Sequence, residues 1–150
     1  MPSSRENDMV TIRSATVADA VRIAELSLVL GYPMTTETAA ARLEYLLGRS
    51  EHLVLVAEIT GGVAGWIHAS EQYLLESGLR CEIIGLVVAA NQRAKGIGRR
   101  LVARVERWAA ERGVEQVAVR SNITRSESHP FYERLGYVTT KTQHVYRKQI

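Results

Sequence analysis

Apolar and polar residues alternate over Val10, Thr11, Ile12, Arg13 and Ser14, the period of a half-buried strand. Thr16-x-x-Asp19 then has the form of a variant capping box. Behind it the spacing becomes helical to about Leu28, with Val17, Ile23 and Leu26 predicted inward. Gly31-Tyr32-Pro33 breaks that helix. A second is predicted from Thr36 to Leu47, burying Leu43, Leu46 and Leu47 and ending at Gly48. Residues 52–59 read as a strand, Gly61-Gly62 as a hairpin turn and residues 63–69 as the returning strand. Residues 73–78 fit neither period. The run from Leu79 to Val88 is too apolar for an exposed edge and predicts a central strand, with Gly85 marking a bulge or a close backbone approach.

Ile97, Leu101, Val105, Trp108 and Ala109 recur at helical spacing as far as Arg112, where Gly113 stops the helix. Residues 114–120 predict another strand. A short helix is expected over residues 130–135, capped by Ser128 and with Pro130 in its first turn. The last strands are placed over residues 137–146. The order βααβββαβαβ predicts an α/β fold, a mixed and mostly antiparallel central sheet flanked by helices. One domain over residues 1–150 is expected, with residues 1–8 as a flexible tail.

Composition narrows the function classes. A chain of 150 residues, 46% of them hydrophobic, has the length to bury roughly 70% of its unfolded surface in one core. No apolar run approaches the ~20 residues that span a bilayer, so no membrane partner is expected. The polar start lacks the apolar stretch of a signal peptide, which predicts a cytoplasmic protein. A single cysteine, Cys81, excludes an intrachain disulfide and a multi-cysteine zinc site. The four histidines form no metal-binding pair in sequence, and no metal is expected.

The net charge is +3, but it is unevenly distributed. Between Arg93 and Arg112 seven basic residues face two acidic ones, a local +5 that leaves −2 for the remainder. This charge surrounds a glycine-containing turn, which points to a small polyphosphate ligand at least as readily as to DNA. No aromatic residues interleave with Arg99, Arg100, Arg104 and Arg107 in a stacking pattern, so nucleic acid is not expected. A buried strand that ends in a glycine turn and feeds a helix exposes backbone N–H groups at the positive end of the helix dipole. Such a turn is a pyrophosphate cradle, and a Cβ at Gly96 or Gly98 would hold the phosphates off. The spacing is neither that of the nucleoside-triphosphate loop nor that of the dinucleotide fingerprint. The plainer reading is a strand–helix connection with glycines for packing.

Two motifs resemble those of the GNAT superfamily of acyl-CoA-dependent N-acyltransferases. Arg93-Ala94-Lys95-Gly96-Ile97-Gly98 is similar to the family's Q/R-x-x-G-x-G/A signature, with its Leu-x-Val strand present as Leu86-Val87-Val88. Downstream, Asn122 followed by Phe131-Tyr132-Glu133-Arg134-Leu135-Gly136-Tyr137 is similar to the family's second motif. Two departures stand out: Ala94 replaces a common Gly, and Ala89-Ala90 lacks the usual proline. The resemblance implies acetyl-CoA as donor. Backbone groups of Leu86, Val87 and Val88 would pair with its pantetheine arm. Amides of Arg93, Ala94, Lys95, Gly96, Ile97, Gly98 and Arg99 would hold its pyrophosphate, with Arg93, Lys95 and Arg99 contributing most of the charge. Asn122 would contact the arm, and Tyr132 would point its hydroxyl at the sulfur. Many relatives dimerise, so a homodimer is a further expectation.

An amine of pKa ~10.4 is neutral in only about one molecule in 2,500 at pH 7, so a base or a water chain must deprotonate it. Glu82 is the candidate. Period-2 geometry places it four residues before Leu86 and on the same face, unless a bulge at Gly85 changes the parity. The alternative is a strand-end carboxylate paired with Arg80 or Arg120. Tyr132, as a phenol of pKa ~10, would donate to the leaving thiolate at a cost of about 2 kcal/mol for full transfer. Its alternative is a core aromatic beside Phe131. Cys81 reads as a small buried hydrophobe rather than a nucleophile. Tyr32, Trp66 and Glu82 are the candidate acceptor-binding residues, and Glu71, Glu76 and Glu82 would favour a cationic acceptor. Acetyl transfer to a small-molecule primary amine, polyamine-like or aminoglycoside-like, is the leading expectation. A peptide or protein amine, or a non-catalytic CoA-binding sensor, are the alternatives.

Overall fold

The computed structural model describes residues 9–29, 31–120 and 128–150. The chain falls into two compact units, Met1–Arg120 and Ser121–Ile150. In the first unit, β1 (Thr11–Ser14) leads through a 3-10 turn into helices α1 (Ala20–Val29) and α2 (Thr36–Leu47). Strands β2 (His52–Ile59), β3 (Gly62–Leu74) and β4 (Gly78–Val88) form a meander, and α3 (Ile97–Glu111) crosses to β5 (Val117–Val119). The sheet order is β1-β2-β3-β4-β5, antiparallel throughout except for the parallel pair β4–β5. That pair follows from the α3 crossover, since a hairpin cannot join parallel neighbours.

Asp19 fixes the entry to α1: its carboxylate accepts from Thr16 N–H at 2.8 Å and takes both Arg13 terminal nitrogens at 2.9 Å. The Arg13 guanidinium, more than any other neighbour, holds the Asp19 carboxyl below its usual range. Ile23 and Leu26 are buried as the spacing predicted, but Val17 is 44% exposed because it lies in the 3-10 turn, outside the helical period. Leu47 is likewise exposed: α2 buries Ala39 and Leu43, and Leu47 is its final residue. Residues 73–78, which matched neither period, are the end of β3 and the turn into β4.

One face of the sheet carries Val54, Val56, Trp66 and Val87 and packs beneath α1 and α2, with Ile23, Leu26 and Leu43 as its main partners. The other carries Leu55, Ala57, Ile67, Ala69, Cys81 and Ile83, all 0–3% exposed, and is the side crossed by α3. Gly65 sits opposite Val88 in the β3–β4 ladder. A Cβ there would stand 2.8 Å from the Val87 carbonyl oxygen, a backbone atom that can retreat only by opening the ladder. Gly65→Ala is therefore expected to cost about 2 kcal/mol, read as a lower urea midpoint with an unchanged slope.

The second unit contains α4 (Ser128–Arg134), where a helix was expected over residues 130–135. Its first residue is Ser128 itself rather than a flanking cap. The Tyr137 N–H donates to the Tyr132 carbonyl and Gly136 has φ +91°, so the helix ends on a left-handed residue. The strands expected over residues 137–146 do not form: no helix or strand is present from Tyr137 onward. Val138, Val145 and Tyr146 are 66–90% exposed.

Candidate active site

Strands β4 and β5 fork. Their parallel pairing covers only Cys81, Glu82 and Ile83 against Val117, Ala118 and Val119, while β4 continues to Val88. Among the described residues, Ile84 to Val88 therefore has no strand partner on the β5 side, and its main-chain groups line an open edge. The register on the β3 side explains the turn in geometry. His68 pairs with Gly85 and Ala69 with Ile83, leaving Ile84 as an extra, bulged residue. The bulge reverses the parity that the sequence pattern assumed. Glu82 shares its face with Ser70, His68, Trp66 and Val87, whereas Leu86 shares the opposite face with Ile67. The expectation that Glu82 and Leu86 point the same way is thus corrected. Gly85 accommodates the bulge and also the Trp66 ring: a Cβ there would lie 3.0 Å from the indole's six-membered edge.

At the far end of β4 the chain passes through a 3-10 turn at Ala90–Gln92 and reaches α3 through two left-handed residues, Ala94 (φ +64°) and Gly96 (φ +82°). Gly96 is the N-cap of α3 and has no side chain with which to cap it. The first-turn N–H groups of Ile97, Gly98 and Arg99 precede the first intrahelical donor, Arg100, which bonds the Gly96 carbonyl at 3.1 Å. They and the helix dipole offer an anion site. Lys95 and Arg99 are exposed beside it. Arg93 instead folds back, its Nε donating to the Val88 carbonyl at 3.4 Å, so it braces the turn against the strand end. The common Gly at position 94 now has a physical reason, because an L-residue in the left-handed region costs about 1 kcal/mol. Ala94→Gly is expected to return that amount as a rise of about 3 °C in the melting midpoint, with CoA affinity retained.

A cleft of about 250 Å³ runs between this turn and the end of α1, lined by Arg22, Leu26 and Val29 on one side and Val88, Asn91 and Arg93 on the other. The α1 wall was not anticipated from the sequence. Its signal is there in retrospect: Leu28 and Val29 continue the apolar run beyond one helical face, and both stand 61–70% exposed. Tyr32, in the connection that follows, is 53% exposed.

On the α1/α2 face, His52, Ser70 and Glu82 form one cross-strand row and Val54, His68 and Gly85 the next. His52 Nδ1 and His68 Nε2 are 3.0 Å apart, so one ring donates and the other accepts. Burial, reinforced by His52, pushes the His68 pKa down to about 4. Glu82 is 6% exposed and its Oε1 meets Arg80 Nη2 at 3.1 Å and Arg120 Nε at 3.6 Å. Both arginine partners weighed from the sequence are therefore present. Glu71 is on the other face, bonded to Arg112 at the end of α3, and faces away from Glu82. It does not join Glu82 in attracting a cation. Trp66 is mostly buried against the α1/α2 core, and its indole N–H has no hydrogen-bond partner there. Burial, ahead of the Glu71 and Glu82 charges, pushes the Cys81 thiol up to about 11, so it is a weak source of thiolate.

Tyr132 lies in α4, its ring edge-on to Phe131 at 5.0 Å and to Tyr137 at 5.7 Å. Burial raises its phenol to about 12. Asn122 falls outside the described residues.

A sequence profile of the Acetyltransferase (GNAT) family matches residues 20–137. The chain belongs to the GNAT acetyltransferase family. The rice (Oryza sativa subsp. japonica) glucosamine 6-phosphate N-acetyltransferase 1 is 36% identical to this GNAT chain over 117 residues, covering 74% of it and 68% of the rice protein. The aminoglycoside N(6')-acetyltransferase type 1 of Serratia marcescens is 24% identical, over 76% of this chain and 82% of that protein. An aminoglycoside N-acetyltransferase solved in complex with CoA superposes with a TM-score of 0.84 at 21% identity, covering 94% of this chain and 95% of its own. The α/β architecture, a five-stranded mixed sheet flanked by helices, is that of GNAT structures.

Proposed function

We propose that this protein transfers the acetyl group of acetyl-CoA to a primary amine of a small molecule, by direct attack within a ternary complex. The observation that carries the reading is the β4–β5 fork, which, among the described residues, leaves a β4 edge with no strand partner, leading straight to the left-handed turn and to an α3 N-terminus whose cap residue is Gly96. An extended, amide-bearing arm ending in a pyrophosphate matches both parts at once. Main-chain groups of Leu86, Val87 and Val88 pair with the pantetheine, and the amides of residues 93–99 take the pyrophosphate, with Lys95 and Arg99 adding charge. Asn122 contacts the arm.

The amine nitrogen attacks the thioester carbonyl, the C–S bond breaks, and CoA leaves as thiolate. The amine's proton passes to Glu82 or to water held by it. Tyr132 donates a hydrogen bond to the thiolate. With a phenol at about 12, full transfer to a thiol of ordinary pKa is uphill by about 5 kcal/mol, so the hydroxyl stabilises the anion rather than protonating it. Glucosamine 6-phosphate and aminoglycosides, the molecules in the relatives' names, are both amino sugars, and we take an amino sugar as the acceptor class.

Calorimetric titration tests the donor. Acetyl-CoA is expected to bind at micromolar concentration and more tightly than ADP, after which a panel of amines identifies the acceptor. An absence of acetyl-CoA binding by the folded protein overturns the reading.

A further inference from the structure

Among the described residues, Glu82 is the buried carboxylate of the paired β4–β5 segment, and two guanidinium groups converge on its Oε1. We propose that Arg80 and Arg120, cross-braced by Glu82, form an anion receptor, and that the acceptor amine carries a phosphate or carboxylate group. The proposal rests on the acetyltransferase reading above and assigns its acceptor class.

Charge comes first. Two guanidiniums against one carboxylate leave a net positive centre around Glu82, the middle residue of the paired β4 segment, with Arg80 one residue before the first β4–β5 pair and Arg120 one residue beyond the last. Among the described residues, several of the neighbouring carboxylates are already paired. Asp19 and Glu58 are bonded to Arg13, Glu25 to Arg22, and Glu71 to Arg112 on the opposite face of the sheet. A polycationic acceptor requires several uncompensated carboxylates around it. Here the carboxylate on the acceptor side is already outnumbered.

Geometry comes second. Arg80 is held from two directions, by Glu82 through Nη2 and by Gln72 Oε1, which accepts from its Nε at 3.4 Å. Those bonds use two of the five N–H donors of a guanidinium, and its side chain is 25% exposed. A braced, partly exposed guanidinium is pre-organised for bidentate recognition of an oxyanion. Arg120, 66% exposed, can swing to a second oxygen while its Nε stays near Glu82. Glu82 therefore positions the receptor whether or not it also takes the amine's proton.

The test is a comparison of acceptor pairs that differ by one anionic group. kcat/KM is measured for glucosamine 6-phosphate against glucosamine, and for an amino acid against its amide. The anionic member of at least one pair is expected to be favoured tenfold or more, and the pair that responds tells phosphate from carboxylate. Arg80→Gln and, separately, Arg120→Gln are expected to collapse that ratio towards one. A general structural injury would lower both members together and leave the ratio standing. A ratio near one in the native protein, a preference for a polycation such as neamine, or a ratio unmoved by both substitutions overturns the receptor. Titration with acetyl-CoA in the same preparation separates the two readings. No binding of acetyl-CoA overturns the acetyltransferase reading and this proposal with it, whereas binding without anion preference overturns the receptor alone.

Discussion

Acidification from pH 7 to pH 4.5 is expected to remove about 2.5 kcal/mol of folding stability through His68 alone. The ring ordinarily titrates at 6.5 and is held at about 4 in the folded protein, first by burial and then by the neighbouring His52. Because the folded pKa is the lower one, the unfolded chain takes up a proton that the folded chain refuses. The stabilisation is complete above pH 6.5, declines as pH falls, and is fully lost below pH 4, a total near 3 kcal/mol. Urea unfolding at pH 7 and 4.5 measures it against His68→Gln, which cannot acquire the charge. The variant should be less stable at pH 7, having lost the His52 contact, yet its stability should vary less with pH by about 2.5 kcal/mol. Equal slopes for the two proteins would show that His68 takes its proton without resistance. Asp19 acts in a separate window: Arg13 lowers its pKa, so its contribution is lost only as pH falls below the ordinary carboxylate range.

The second large effect concerns rate. Tyr132→Phe is expected to lower kcat about 100-fold, roughly 2.7 kcal/mol of transition-state stabilisation, and to change acetyl-CoA affinity less than twofold. In the proposed role the hydroxyl matters only once charge builds on sulfur, so its removal should spare ground-state binding. With the phenol raised to about 12, the native pH profile should show no loss of activity from Tyr132 ionisation up to pH 10. A CoA-binding sensor would show no turnover for the substitution to reduce. An unchanged kcat in an active enzyme would leave Tyr132 as a core aromatic beside Phe131.

Much of this was legible because it depends on local rules. The strand from Leu79 to Val88, the glycine turn and the amphipathic α3 announce themselves through period and turn residues, and the family motifs sit on them. Gly85 even marked the bulge. What the spacing did not supply was which residue is the extra one: β3 pairs His68 with Gly85 and skips Ile84, and that single slip moves Glu82 to the face opposite Leu86. Glu71 failed for a related reason, since one position of parity decides whether it meets Arg112 under α3 or faces the acceptor side. The residues after Tyr137 alternate like a strand yet form none, since pairing is not encoded in one strand's own pattern. The resemblance placed Arg93 among the pyrophosphate-holding residues, but its side-chain bond to the Val88 carbonyl depends on how the turn folds back, which no motif spells out.

The open edge of β4 also bears on how the protein behaves before any ligand arrives. Among the described residues, Ile84 to Val88 has no strand partner on its β5 side, an edge that an extended peptide, including a partly unfolded sister chain, can extend. A bound cofactor arm that occupies this edge would shield it from such pairing. Where the arm docks as proposed, self-association in dilute solution should therefore fall as CoA is added.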